Sequence, residues 1–424
     1  MKKKTRATLE FLAFLQIFAV QTTLLNSQEN DLSPEMKTYY DMTLIDYAQA
    51  NLVHDQFGQK RPIPKGSGKT IEFRAFSPLA KALVPLTEGV TPNGNKLDVT
   101  AITATVAQYG DFIMQSDVLE LTAIDNTILE ATKLLGRQAG MTLDTVTREK
   151  LMEGTNVNYA SKVSSGSETS VLTRSGLDTT AQLTVKEIMK AVAKLRAQNA
   201  PTIGGDYVAI IHPYTAYSIM RDPEWKDWSQ YTNPEHMYAG EVGRIAGVRF
   251  VQSTEAKIFK GADLASDSAN LAINYESGYS GAITSVAFDG GTVAANALVG
   301  RWIQINGVAA KVTENTTTTL TFASTNFDSI ADNAVIYPGE GGSQNLAVFA
   351  TLVIGEGAYG VTEISGGGLQ TIVKQKGSAG TGDPLDQRSS VGWKAIKTAE
   401  ILVDNYMVRI EACVADYSSA VSAN

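Results

Sequence analysis

Residues 62–73 read Pro-Ile-Pro-Lys-Gly-Ser-Gly-Lys-Thr-Ile-Glu-Phe, and their reading decides the fold. The core Gly66-Ser67-Gly68-Lys69-Thr70 imitates the end of a phosphate-binding loop. That loop requires a glycine five positions before the last glycine, where this chain has Ile63, and it must open a helix. The chain continues instead with Ile71-Glu72-Phe73-Arg74-Ala75-Phe76, apolar and charged in alternation. Period two is strand spacing, so the Gly/Ser/Lys cluster is a turn that enters a strand.

Working outward, a second strand-like run follows at Val99–Ile113. Between the two lies residues 77–98, with Pro78, Pro85, Gly89, Pro92 and Asn93-Gly94. This segment cannot be a helix and is long for a hairpin tip. Its Leu79, Leu83, Val84, Leu86, Val90 and Leu97 cannot all fold back on their own hairpin, which predicts that another molecule covers them. Upstream, residues 34–53 have the apolar spacing of one helix through Met36, Tyr39, Tyr40, Leu44, Ile45 and Ala48.

Downstream, Ile128, Ala131, Leu135, Ala139, Leu143 and Val146 predict a long helix over 126–153. Thr184-Val185-Lys186-Glu187 has the spacing of a capping box at the start of a second helix. A buried strand then leads into a turn at His212-Pro213 and a short helix, and a further strand is expected over Val248–Val251. From 263 to 342 the texture changes to Thr, Ala, Gly and Asn, with five short strand-like runs between tight turns. Such a run predicts a small β-barrel or sandwich inserted into a larger domain.

Composition bounds the function. The chain has 424 residues, 43% hydrophobic and 19% charged, with a formal net charge of −8. A dedicated reader of duplex DNA needs an excess of cations, which this chain lacks. A single cysteine, Cys413, allows no intramolecular disulfide framework, and three histidines leave little material for a metal site. His212 with Asp206 or Asp222 is the nearest approach to a catalytic pair, and a capping or packing histidine is the simpler reading. No nucleophile elbow, His-Glu-x-x-His or Cys-x-x-Cys is present, so neither a catalytic residue, a metal nor a cofactor is expected. Trp225, Trp228, Tyr231 and Tyr238 form an aromatic loop, expected at an interface. The first twenty residues, basic and then apolar, read either as a secretory signal or as an amphipathic arm in which Phe14 and Phe18 face a partner. No run reaches the length of a membrane span.

The order of these parts resembles the tailed-bacteriophage major capsid proteins with the HK97-like fold. The resemblance rests on LQIFAVQTT (15–23), the whole of 31–79, 86–113, HPYTAYSIMRDPEW (212–225), GEVGRIAGVRFVQST (240–254) and 367–403. It implies an α+β fold with an N-terminal arm (1–57) and an extended β-hairpin loop (58–113). A peripheral domain with a spine helix (114–199) and a first part of an axial domain (200–262) would follow. The inserted β-domain (263–342), a second axial part (343–375) and C-terminal peripheral strands (376–424) would complete it. It implies a coat protein, not an enzyme, that assembles with itself into hexamers and pentamers of an icosahedral head. Portal and scaffolding or decoration proteins would be its partners. Packaged double-stranded DNA would be touched weakly and without sequence preference, and no membrane is involved. Synthesis would be in the host cytoplasm and residence in the virion, with the first eleven residues an arm extension or a longer choice of start. An encapsulin-type shell around protein cargo is the alternative within the same fold, and a secreted surface protein is the alternative outside it.

Overall fold

The computed structural model describes residues 53–424 apart from 67, 77–78, 80, 82, 84, 86–87, 90–93, 98, 123–126, 165, 226–242, 268–269, 364–368, 375–384 and 386. The helix expected over 34–53 therefore lies outside the described residues, save its last position.

The chain enters through a short strand β1 (Gln59–Lys60) and forms β2 (Thr70–Phe76), with the bounds its alternation predicts. The run expected as one strand over 99–113 divides into β3 (Val99–Thr105) and β4 (Ala107–Ser116). Val106 between them is buried and donates its N–H to the Lys69 carbonyl at 3.0 Å. Inward-facing positions are even-numbered at Ala104 and Val106 and odd-numbered at Tyr109, Ile113 and Gln115, so the alternation slips by one residue where the partner strand changes. β2 and β3 form a two-stranded antiparallel ladder in register from Thr70 opposite Thr105 to Phe76 opposite Val99. Two helices follow, α1 (Asp117–Thr122) and the long α2 (Thr127–Leu151).

A strand β5 (Val157–Tyr159) and a small hairpin of β6 (Lys162–Ser164) and β7 (Ser167–Thr169) lead to α3 (Val185–Ala197). The expected capping box at its start does not form, because Thr184 makes no side-chain cap. Asp222 takes that role from across the fold, accepting the Val185 N–H at 2.9 Å, while Glu187 turns to Lys190 at 2.7 Å. A carboxylate at a helix N-terminus meets both the free N–H groups and the positive end of the dipole. β8 (Tyr207–Ile211) is buried along its whole length, as its apolar run requires, and α4 (Pro213–Arg221) follows the His212 turn.

After α4 come β9 (Arg244–Ile245), β10 (Val248–Gln252) and β11 (Ile258–Phe259). The Thr- and Gly-rich stretch then makes six strands rather than five. They are β12 (Leu271–Ile273), β13 (Tyr279–Asp289), β14 (Trp302–Ile305), β15 (Val308–Asn315), β16 (Thr319–Ile330) and β17 (Val335–Pro338). They close into a barrel in the order β12-β13-β16-β15-β14-β17 around Phe288, Phe322, Phe327, Leu320 and Ile303. β12, only three residues long, supplies the closing pair and is too short for its alternation to register. Asn306 and Gly307, both at positive φ, make the two-residue turn between β14 and β15.

The remaining strands are β18 (Val348–Ile354), β19 (Tyr359–Glu363), β20 (Gln370–Lys374), β21 (Arg388–Ile401) and β22 (Met407–Ala412). They complete two sheets. A seven-stranded sheet runs β5-β22-β18-β8-β10-β9, with β11 also on β18. Its main core, shared with α3 and α4, includes Ile188, Leu195, Ala209, Ile219 and Val353. A five-stranded sheet runs β1-β19-β21-β20, with β4 along β21. Val391, Trp393 and Ala395 of β21 pack under Leu135, Ala139 and Leu143 of α2, which recur at four-residue steps along one side of the helix.

Candidate inter-subunit surfaces

The hairpin is built from its base outward. Phe73 is only 4% exposed, and its ring lies on Gly360 of β19, where a Cβ would stand 2.9 Å from the ring. A glycine is required there for the hairpin to seat. Beyond Phe73 the ladder pairs with no further strand among the described residues. At its far end Leu79, Leu83 and Leu97 are 60%, 81% and 65% exposed. Apolar side chains concentrated at the end of a lone two-stranded ribbon gain nothing within the subunit and much from a covering partner. Val84, Leu86 and Val90 of the same tip, and Phe14, Phe18 and Trp228, lie outside the described residues.

Trp225 is a correction. Sequence places it in a loop at an interface, but it is 8% exposed and belongs to the core with Val185, Ile188 and Ile219. Its burial is accounted for within its own chain. The glycine-rich turn at 65–69 opens directly into β2 rather than into a helix, so it lacks the donor array of a nucleotide loop.

The entry of the chain is held by a buried polar cluster that periodicity gives no sign of. His54 donates its backbone N–H to Asp144 Oδ1 at 2.8 Å and its Nδ1 lies 2.7 Å from Asp144 Oδ2. Thr147 donates to Asp55 at 2.6 Å, Lys397 bonds the same carboxylate, and the Tyr359 hydroxyl donates to the His54 carbonyl. Burial raises the Tyr359 phenol far above its ordinary range. The partners come from residues 54–55, α2, β19 and β21, some 90 to 342 positions apart. Beside α2 a groove of about 910 Å3 opens between the helix and β21, lined by Tyr109, Leu134, Met141, Val146 and Glu400.

A second cluster joins the barrel to the seven-stranded sheet. Glu411, fully buried, receives both arms of the Arg174 guanidinium at 2.6 Å and Arg409 Nε at 2.8 Å, and Arg174 lies 3.5 Å over the Phe259 ring. The next residue, Ser175, donates to the Gly307 carbonyl of the barrel at 3.0 Å and accepts from the buried Gln304 amide at 2.5 Å. At the barrel's neck the Asn345 side chain accepts the Gly261 N–H at 2.8 Å and donates to the Gly261 carbonyl at 2.9 Å.

The residues weighed for catalysis are dispersed. His212 caps α4, its Nδ1 accepting the Tyr214 N–H at 3.2 Å, and burial pulls its pKa down to about 4. Asp222 caps α3, and Asp206 pairs with Arg244 at 2.6 Å. Burial pushes the Cys413 thiol up to about 12, so it is a poor nucleophile. Among the described residues no group of three His, Cys, Asp or Glu could hold a metal ion, and no helix is long and apolar enough to cross a membrane.

No curated protein matches the chain. Solved phage capsid structures share its fold at low identity. The capsid of the cyanophage P-SCSP1u has a TM-score of 0.53 at 12% identity, covering 92% of this chain and 97% of that one. The head protein of Helicobacter pylori bacteriophage KHP40 has a TM-score of 0.51 at 12% identity, covering 91% and 99%. The capsid of Ralstonia phage GP4 has 0.51 at 10% identity, covering 93% and 98%. A family model described as phage capsid protein matches residues 22–318, well over half of the sequence, and the chain therefore belongs to the phage capsid protein family.

Proposed function

We propose that this is the major capsid protein of a tailed phage, with the HK97-like arrangement of arm, extended loop, spine helix, peripheral and axial domains. Copies of it assemble into hexamers and pentamers of an icosahedral head around double-stranded DNA. The observation that carries the reading is the β2–β3 hairpin, which projects past its Phe73 anchor and ends on exposed Leu79, Leu83 and Leu97. In this reading α2 is the spine, the β8, β10 and β18 part of the seven-stranded sheet lies in the axial domain, and the barrel is an inserted domain. Portal, scaffolding or decoration proteins are the further partners, and the virion is the site of action.

Negative-stain microscopy of the purified protein tests the assembly. Closed shells tens of nanometres across are expected, and a protein that stays monomeric across the whole soluble concentration range, with and without phage lysate, overturns the reading. A nanocompartment is separated from a phage head by the contents. Nuclease-protected DNA in particles from producing cells belongs to the head, and particles filled with one cargo protein belong to the compartment.

A further inference from the structure

The polar cluster at the chain's entry sets a lysine amine against a carboxylate away from water. Lys397 Nζ bonds Asp55 Oδ2, and the two side chains are only 7% and 19% exposed. Every other lysine paired with a carboxylate among the described residues is at least 17% exposed. Glu411, the fully buried carboxylate of the second cluster, faces two guanidinium groups, which stay protonated and cannot attack it. A buried lysine, by contrast, readily gives up its proton.

Both reactants are fixed from outside the pair. Asp144 holds the backbone N–H and Nδ1 of His54, and the Tyr359 hydroxyl donates to the His54 carbonyl, so the next residue has little freedom. Lys397 lies inside β21, opposite Glu363 on one side and Ala107 on the other. The remaining contacts suit an amide as well as they suit an ion pair. Thr147 donates to Asp55 Oδ1 at 2.6 Å and leaves Oδ2 to the lysine. The Leu143 carbonyl accepts from Lys397 Nζ at 3.1 Å. An amide between Lys397 Nζ and Asp55 Cγ would keep its oxygen on Thr147 and its one N–H on Leu143. The ion pair carries the desolvation of two charges, and the amide carries neither. Contact within a folded chain also supplies the proximity that condensation in water lacks.

We propose that Lys397 and Asp55 condense into an isopeptide bond within one chain. The ammonium passes one proton to Oδ2, which gives an amine and a carboxylic acid. The amine lone pair attacks Cγ, and the charge that develops on Oδ1 is met by the Thr147 hydroxyl. The nitrogen gives a second proton to the Oδ2 hydroxyl, the Cγ–Oδ2 bond breaks, and water leaves through the exposed edge of Asp55. The third proton stays as the amide N–H. Nothing is oxidised or reduced, and no co-reactant is consumed. The bond joins residues 342 positions apart. It constrains the unfolded chain as a disulfide would, in a chain whose single cysteine can form none internally. It also ties the root of the N-terminal segment to a strand inside the five-stranded sheet. None of this depends on the capsid reading.

Tryptic mass spectrometry of the full-length folded protein tests this, with samples taken over days at physiological temperature. The expected product joins peptide 38–60 to peptide 395–409 at the sum of their masses less one water, with cleavage after Lys397 lost. Fragment ions place the link at Asp55 and Lys397. Asp55→Ala and Lys397→Met yield only separate peptides. Thr147→Val slows closure by about 100-fold, and an equal rate overturns the part given to its hydroxyl. The decisive reading is made on the wild-type protein, so a variant that fails to fold does not blunt it. Separate peptides from folded wild-type protein at every time show an ion pair only and overturn the inference. A link that maps to another carboxylate of 38–60 overturns it as well. So do joined peptides of mixed isotope from protein assembled out of nitrogen-14 and nitrogen-15 copies, which would place the bond between chains.

Discussion

Replacing Leu83 by Asp separates assembly from folding. In the subunit Leu83 is 81% exposed, so about four-fifths of its surface remains to be buried by a partner. Full burial of a leucine stabilises by about 1.5–3 kcal/mol, which leaves roughly 1–2.5 kcal/mol for docking here. Aspartate forfeits that and adds a carboxylate to be desolvated, at least about 2 kcal/mol unless the partner offers a matching donor. The sum is about 3 kcal/mol or more per contact, or roughly 100-fold in each association constant. Every copy carries the change, so the protein concentration at which shells appear rises by about the same factor. Folding is expected to shift by no more than about 0.5 kcal/mol, because the site is exposed and outside any cap or cluster. Leu83→Ala, which loses only the apolar part, raises the threshold by about tenfold. Sedimentation velocity against protein concentration reads assembly, and a circular dichroism melt reads folding. Shells from Leu83→Asp at the wild-type concentration refute the idea that the tip is an assembly contact. A collapsed melt shows instead that the tip packs within its own subunit.

Other substitutions probe the supports. Glu411→Gln leaves Arg174 and Arg409 facing a neutral group, which costs about 3–5 kcal/mol and roughly 10 °C in melting temperature; a shift within about 2 °C denies the cluster a structural role. Phe73→Ala releases the hairpin from Gly360 and speeds proteolytic cleavage within 70–105 several-fold while the sheet cores stay protected; equal cleavage rates count against Phe73 as the anchor. Asn345→Ala removes two hydrogen bonds from the neck and places alanine at φ +57, destabilising by about 2–3 kcal/mol in a denaturant titration. For His212 the folded pKa of about 4 lies below the ordinary 6.5, so the folded state binds fewer protons than the unfolded one. The stability present above pH 6.5 is therefore lost progressively as pH falls toward 4, and His212→Asn, which keeps a cap, flattens that decline. Parallel pH profiles for the two proteins would assign the titration elsewhere.

Local rules read well where local physics decides. β2 keeps the bounds its alternation predicts, α2 falls at Thr127–Leu151 within the expected 126–153, and the His212-Pro213 turn caps a helix. The misses share one cause, a partner distant in sequence. Thr184 is displaced as the α3 cap by Asp222, 38 positions on, and Trp225 is drawn into a core that the loop's composition does not advertise. The sixth barrel strand is defined by pairing with β13 and β17 rather than by its own three residues. The cluster around His54 likewise draws on residues from distant parts of the chain, and its members are ordinary one by one. The apolar tip of the hairpin was legible because prolines and exposed leucines in one irregular stretch conflict with any self-contained fold.

The Gly261–Asn345 clasp bears on the order in which the chain folds. β11 pairs with β18 through Ile258 opposite Phe349, a contact that spans 91 residues and on sequence distance alone is slow to find. The closed barrel, residues 271–338, occupies about three-quarters of that interval and pairs its strands with one another. Once it has folded, its ends are held a hydrogen bond apart, and the search for the β11–β18 pair shrinks from a long loop to something close to a hairpin. The barrel thereby converts a non-local step of the main sheet into a local one, so barrel variants that unfold should delay the core they interrupt even where they leave its final stability unchanged.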